Sequence, residues 1–212
     1  WGGPGRYPES TIAAVKHSLA LGADMAELDV RFTGDEVPVI SHDGDARRLF
    51  GCPKAIRKLT AEQFVSLRYL SDPAFRPHTL REVLESGAAP LLLHIKEGGA
   101  RLGRVLALIR ECGYEDKAVM GVASPEDVRR VKAFSERLRV LAFVPLKMRV
   151  PEFLAGPADM IRLWEGWVDA RTVRNIREAG KEVWVMAGSP WKGTIGRTSP
   201  DRLPAWKAMG VG

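Results

Sequence analysis

Glu27 and Asp29 stand one residue apart in the apolar run Met25-Ala26-Glu27-Leu28-Asp29-Val30. In an extended strand successive side chains point to opposite faces, so the two acids share one face and Leu28 takes the other. Two carboxylates close together on the inner face of a sheet repel each other and lose hydration. A hard divalent cation relieves both penalties, because Mg²⁺ and Ca²⁺ take oxygen ligands. A second apolar run, Val37-Pro38-Val39-Ile40, delivers Ser41-His42-Asp43 shortly afterwards. An imidazole with its ordinary pKa of about 6.5 can give up a proton near neutrality. A third run ends His94-Ile95-Lys96-Glu97, where His94 and Lys96 fall on one strand face by the same alternation. Cation binding and proton transfer are the chemistry these residues can support together.

The elements that must position them alternate between strand and helix. Strand-like runs cover residues 26–30, 91–95, 118–122, 140–144, 159–163 and 183–187, and helical periodicity covers 10–21, 101–111, 125–134, 169–179 and 200–209. Short apolar strands separated by helices describe an α/β fold with a parallel sheet. One join differs. Residues 31–36 are too few for a crossover helix, so the run at 37–41 should return antiparallel as a hairpin. Residues 44–78 then read as an irregular insertion, a lid or small subdomain, with one short helix at 61–67. Six parallel strands fall short of the eight in a (β/α)₈ barrel of the TIM type. The expectation is one barrel domain over 1–212 with an insertion at about 44–78, incomplete because its first and last strands are missing; a shorter open α/β sheet is the alternative.

Composition narrows the classes. A chain of 212 residues, 45% hydrophobic, suits one sizeable core. The formal net charge is +6, but the basic residues are scattered and no aromatic-interleaved stripe accompanies them. That pattern fits a small anionic substrate better than a nucleic acid. Cys52 and Cys112 are too far apart in sequence to suggest a zinc site or a disulfide framework. No stretch reaches the length of a membrane span. No signal peptide is visible, which favours a cytoplasmic location; the opening Trp1-Gly2-Gly3 reads as mid-loop and leaves secretion open. Oligomeric state is not legible.

In order along the chain stand Tyr7-Pro8-Glu9-Ser10-Thr11, Leu21-Gly22-Ala23-Asp24, Glu27-Leu28-Asp29-Val30, Val37-Pro38-Val39-Ile40, His42-Asp43, Thr79-Leu80-Arg81-Glu82-Val83-Leu84 and Ile95-Lys96. This string resembles the glycerophosphodiester phosphodiesterase family, whose usual text includes P-E-N-T, G-A-D, E-x-D-V, V-P-V-x-x-H-D, P-T-L-x-E-x-L and E-I-K. The match is dense to about residue 97 and thin beyond it. The resemblance implies a barrel hydrolase that cleaves glycerophosphodiesters into glycerol 3-phosphate and an alcohol, using a divalent cation and two histidines. Several positions depart from the family text. Trp1 stands in the Arg slot of H-R-G, which would put the first histidine just before it. His94 replaces the Glu of E-I-K, Ser10 replaces the Asn of P-E-N-T, and Met186-Ala187-Gly188 stands where W-T-V-N is expected.

A phosphodiester needs its anionic oxygens neutralised, a nucleophile delivered in line and a proton for the leaving alkoxide. Glu27, Asp29 and His94 are the candidate metal ligands, Lys96 the candidate phosphate contact and His42 the candidate general acid. Glu97 is an alternative third ligand through a shifted register. The family favours Mg²⁺ or Ca²⁺, whereas an imidazole in the set favours Mn²⁺, Co²⁺ or Zn²⁺. Arg162 and Trp164 at a strand end, with Trp191 and Lys192, are candidates to line the substrate site. Two other functions remain open: a related barrel phospholipase that acts on lysophospholipid or sphingolipid headgroups through a cyclic phosphate, and a non-catalytic phosphodiester-binding module.

Overall fold

In the computed structural model, which describes residues 6–212, the first helix is α1 (Ile12–Ala20). Thr11 starts it by accepting the Ala14 N–H on its hydroxyl. Two compact units divide the chain, one up to Met120 and one from Gly121.

In the first unit β1 (Ala26–Phe32) lies between two partners. On one side β2 (Pro38–Ile40) runs antiparallel to it, with Val30 opposite Ile40 and Phe32 opposite Pro38. This is the expected hairpin, and its pairing carries β1 two residues past the end read from the sequence. At the turn, Gly34 donates its N–H to the Leu59 carbonyl at 2.7 Å, and a Cβ there would lie 2.9 Å from the Arg57 carbonyl oxygen. Only glycine allows that approach.

Residues 44–78 are more ordered than the one helix expected. They hold α2 (Arg47–Phe50), a 3₁₀ turn at Ile56–Lys58 and α3 (Ala61–Val65). Their apolar side chains form a small core of their own, with Ala46, Phe50, Ile56, Leu59, Phe64 and Tyr69 gathered on Val39 of the hairpin. The Phe50 ring meets those of Phe64 and Tyr69 edge-on. The chain then returns along β2, where the Ile40 N–H donates to the His78 carbonyl at 3.0 Å.

Helix α4 (Leu80–Glu85) opens with a reciprocal cap between Thr79 and Glu82. Next comes β3 (Leu91–Ile95), parallel to β1 with Asp29 opposite His94. Helix α5 (Leu102–Glu111) buries Leu102, Val105, Leu106 and Ile109, one face at helical spacing. Strand β4 (Ala118–Val122), buried at every position, carries the chain across the unit boundary.

The second unit continues the alternation with α6 (Pro125–Phe134), β5 (Arg139–Phe143), α7 (Val150–Leu154), β6 (Met160–Trp164), α8 (Ala170–Glu178), β7 (Glu182–Met186) and α9 (Arg202–Met209). Strands β5, β6 and β7 pair in parallel. The sequence reading lacked α7, whose single turn and a half is too short to show a period. Setting β2 aside, six strands alternate with helices, which is the α/β architecture of an incomplete (β/α)₈ barrel.

Candidate active site

The two faces of β1 differ sharply. Leu28, Val30 and Phe32 are buried in the apolar core, while Glu27, Asp29 and Arg31 occupy the other face. Because paired residues of parallel strands share a face, Asp29 and its partner His94 point the same way. The His94 Nδ1 and the Lys96 Nζ both lie 2.8 Å from the Asp29 Oδ1. Glu27 Oε1 is 3.8 Å from the same His94 nitrogen. The sequence-expected set Glu27, Asp29, His94 and Lys96 is therefore brought together where β1 and β3 run side by side.

Burial and charge make this cluster unusual. Glu27 is pushed up to about 7, first by loss of hydration and then by the neighbouring Asp29 carboxylate, with Lys96 opposing. Burial also pushes Asp29 upward, but the hydrogen bond from His94 and the Lys96 ammonium outweigh it and hold Asp29 well below the usual carboxylate range. Asp29 takes the available positive charge, and Glu27 is left short of it. Ligand atoms of Glu27, Asp29 and His94 all lie within 4.8 Å of one another. One cation with bonds of about 2.0–2.6 Å can reach all three. The donor set of two carboxylates and one imidazole fits a divalent metal ion.

His42 lies at the end of β2, and backbone and side-chain bonds tie its main chain to this region. The Ser41 N–H donates to the Asp29 carbonyl at 3.0 Å. Arg31 donates from Nε and Nη2 to the His42 carbonyl at 3.0 and 2.9 Å. The His42 Nδ1 lies 2.9 Å from Asp43 Oδ1, and the side chain is 41% exposed. Glu97 does not join the acids on β1. It pairs with Arg31 at 3.3 Å and with Arg101 at 2.8 Å.

Of the remaining candidates, Arg162 is buried in the second unit between the rings of Phe143 and Trp164, 4.8 and 4.3 Å from its guanidinium carbon. Trp191 is 94% exposed. Three residues at this site were missed in sequence: Arg31, Arg48 and Glu9. Arg31 carried a signal, since 27, 29 and 31 alternate on one face. Glu9 carried only its place in the P-E-N-T text and Arg48 carried none, and their contact joins segments 39 residues apart.

Residues 2–101 match the glycerophosphoryl diester phosphodiesterase family. The lysophospholipase D GDPD1 of Rattus norvegicus is 31% identical over 140 residues, which is 60% of this chain and 45% of that protein. A glycerophosphodiester phosphodiesterase of Caldanaerobacter subterraneus is 28% identical over 148 residues, 63% of this chain and 60% of that one. Over residues 2–101 the chain carries the sequence of the glycerophosphodiester phosphodiesterase family. It spans less than half the length of the curated lysophospholipase D relatives it matches, 44% or 45% of each. An Oleispira antarctica phosphodiesterase, solved in complex with sn-glycerol-3-phosphate, shares the fold with a TM-score of 0.78 over 99% of this chain and 87% of that one, at 18% identity. His94, which the sequence resemblance puts in the Glu slot of E-I-K, faces the acids of β1. Trp1, in the Arg slot, lies outside the described residues.

Proposed function

We propose that this protein hydrolyses glycerophosphodiesters to glycerol 3-phosphate and an alcohol with a divalent cation held by Glu27, Asp29 and His94. The observation that carries the reading is the convergence of those three side chains within 4.8 Å, beside Lys96 and with too little positive charge for both acids. When bound there, a divalent cation would neutralise phosphate oxygens and polarise the phosphorus toward attack. Lys96, already 2.8 Å from Asp29, has further N–H donors and supplies a point charge to a phosphate oxygen. His42, held by Asp43 at Nδ1, presents its transferable proton at Nε2 and gives it to the departing alkoxide. An imidazole ligand makes Mn²⁺, Co²⁺ or Zn²⁺ better activators than Ca²⁺. Incubation of the purified protein with glycerophosphocholine and each metal, followed by ³¹P NMR, tests this. Glycerol 3-phosphate should accumulate only with metal; no turnover with any of them would refute it.

A second substrate class has its own support. The similarity to proteins named lysophospholipase D favours a lysophospholipid carrying the same glycerophosphodiester core. Phosphorus spectra of lysophosphatidylcholine digests separate direct hydrolysis from intramolecular attack, since the latter releases a cyclic phosphate.

A further inference from the structure

His42 does not end at Asp43. Asp43 receives the imidazole Nδ1 on one oxygen at 2.9 Å and the Arg48 Nε on the other at 2.6 Å. The remaining arms of the same guanidinium, Nη1 and Nη2, bond the two oxygens of Glu9 at 3.1 and 2.6 Å. Glu9 is anchored in turn, because the hydroxyl of the fully buried Tyr69 donates to its backbone carbonyl at 2.7 Å. A continuous path thus runs from the small core of residues 44–78, through α2, to the ring at the hairpin end.

We propose that Arg48 is a positioning residue: its guanidinium fork locks Asp43 in place, and Asp43 fixes the orientation and tautomer of the His42 imidazole. This rests on the reading of His42 as the general acid. A lone carboxylate on a half-exposed loop turns freely and can present either oxygen to water. A planar guanidinium with two edges engaged has one orientation, and it dictates where the Asp43 oxygens lie. The role parallels that of a buried acid that holds a catalytic imidazole without taking its proton. Surface ion pairs add little to stability, so a link of three charged side chains converging on one imidazole is better explained by orientation than by folding.

The test compares an alkyl with an aryl leaving group, glycerophosphocholine against glycerol 3-phosphate 4-nitrophenyl ester. An aryl oxide leaves without protonation, so a defect confined to the acid disappears on that ester. His42→Asn should lose about 10²–10⁴-fold in kcat on the alkyl ester and little on the aryl one. Arg48→Met should follow the same pattern with a smaller loss, up to about 10²-fold, and with KM unchanged, as a displaced group does. Arg48→Lys, which keeps the charge but not the fork, should fall between wild type and Arg48→Met. Equal losses on both esters, or no loss on either, would overturn the role of Arg48. If His42→Asn shows no dependence on the leaving group, the general-acid reading fails instead. Imidazole ¹⁵N shifts then judge Arg48 without turnover: a His42 tautomer unchanged by Arg48→Met and Arg48→Lys rules the positioning out, and a shift toward mixed tautomers supports it.

Discussion

Two groups of charge stand along β1 and β3 and the segments that follow them, and they are built on opposite principles. In one, Arg31, Arg101, Glu36 and Glu97 interlock: Glu97 meets both guanidinium groups at 3.3 and 2.8 Å, and Arg101 also meets Glu36 at 2.8 Å. Two acids face two arginines, and the charges balance. In the other, Glu27 and Asp29 share one ammonium and one imidazole, and burial first, then the Asp29 carboxylate, holds Glu27 near 7. A count of acids would rank the groups alike. What separates them is uncompensated negative charge, which invites a cation in the second and is absent from the first.

The largest effect that could break this contrast is ligand loss. Asp29→Asn should remove Mn²⁺ binding in calorimetry by more than the ~10–100-fold usual for an outer-sphere partner, while Glu97→Gln leaves it nearly unchanged. Comparable losses in the two variants would erase the distinction. His94→Glu should next shift the metal preference toward Ca²⁺ and Mg²⁺, since it restores an anionic oxygen. An unchanged preference, together with metal loss in Glu97→Gln, would move the third ligand to Glu97.

A third effect is pH-dependent. In the metal-free protein Glu27 holds its proton up to about 7, and a cation must displace that proton to bind. Affinity should therefore rise with pH up to about 7 and level off above it, with a slope of roughly tenfold per pH unit below. A flat Mn²⁺ titration series across that range would show that Glu27 stays out of the coordination. The smallest effect is expected of Glu36→Gln. It removes one arm of the balanced set, and its thermal midpoint should stay close to wild type, as for exposed ion pairs generally.

What could be read from sequence follows the regularity of the backbone. Glu27, Asp29, His94 and Lys96 were legible because strands alternate strictly, and parallel neighbours place matching faces together. The same rule reaches Arg31. It fails at Glu97, where the chain has left β3 and bends into the 3₁₀ turn Gly99–Arg101, so side-chain direction no longer follows position. Arg48 and Glu9 are further from reach: an ion pair across an irregular segment leaves no period behind. Most helices were legible from apolar spacing; α2 and α7, of four and five residues, were not, although the equally short α3 was.

The small core on Val39 gives this region a thermal behaviour of its own. Residues 44–78 gather apolar side chains around Phe50, Phe64 and Tyr69, apart from the β1–β3 pairing. Such a cluster can open as a separate cooperative unit, with its amides exchanging with deuterium before those of the sheet. Opening would release Tyr69 from Glu9 while Glu27, Asp29 and His94 stay paired across β1 and β3. On warming, the protein would then retain its cation after it has stopped turning over, and inactivation would precede the global melt.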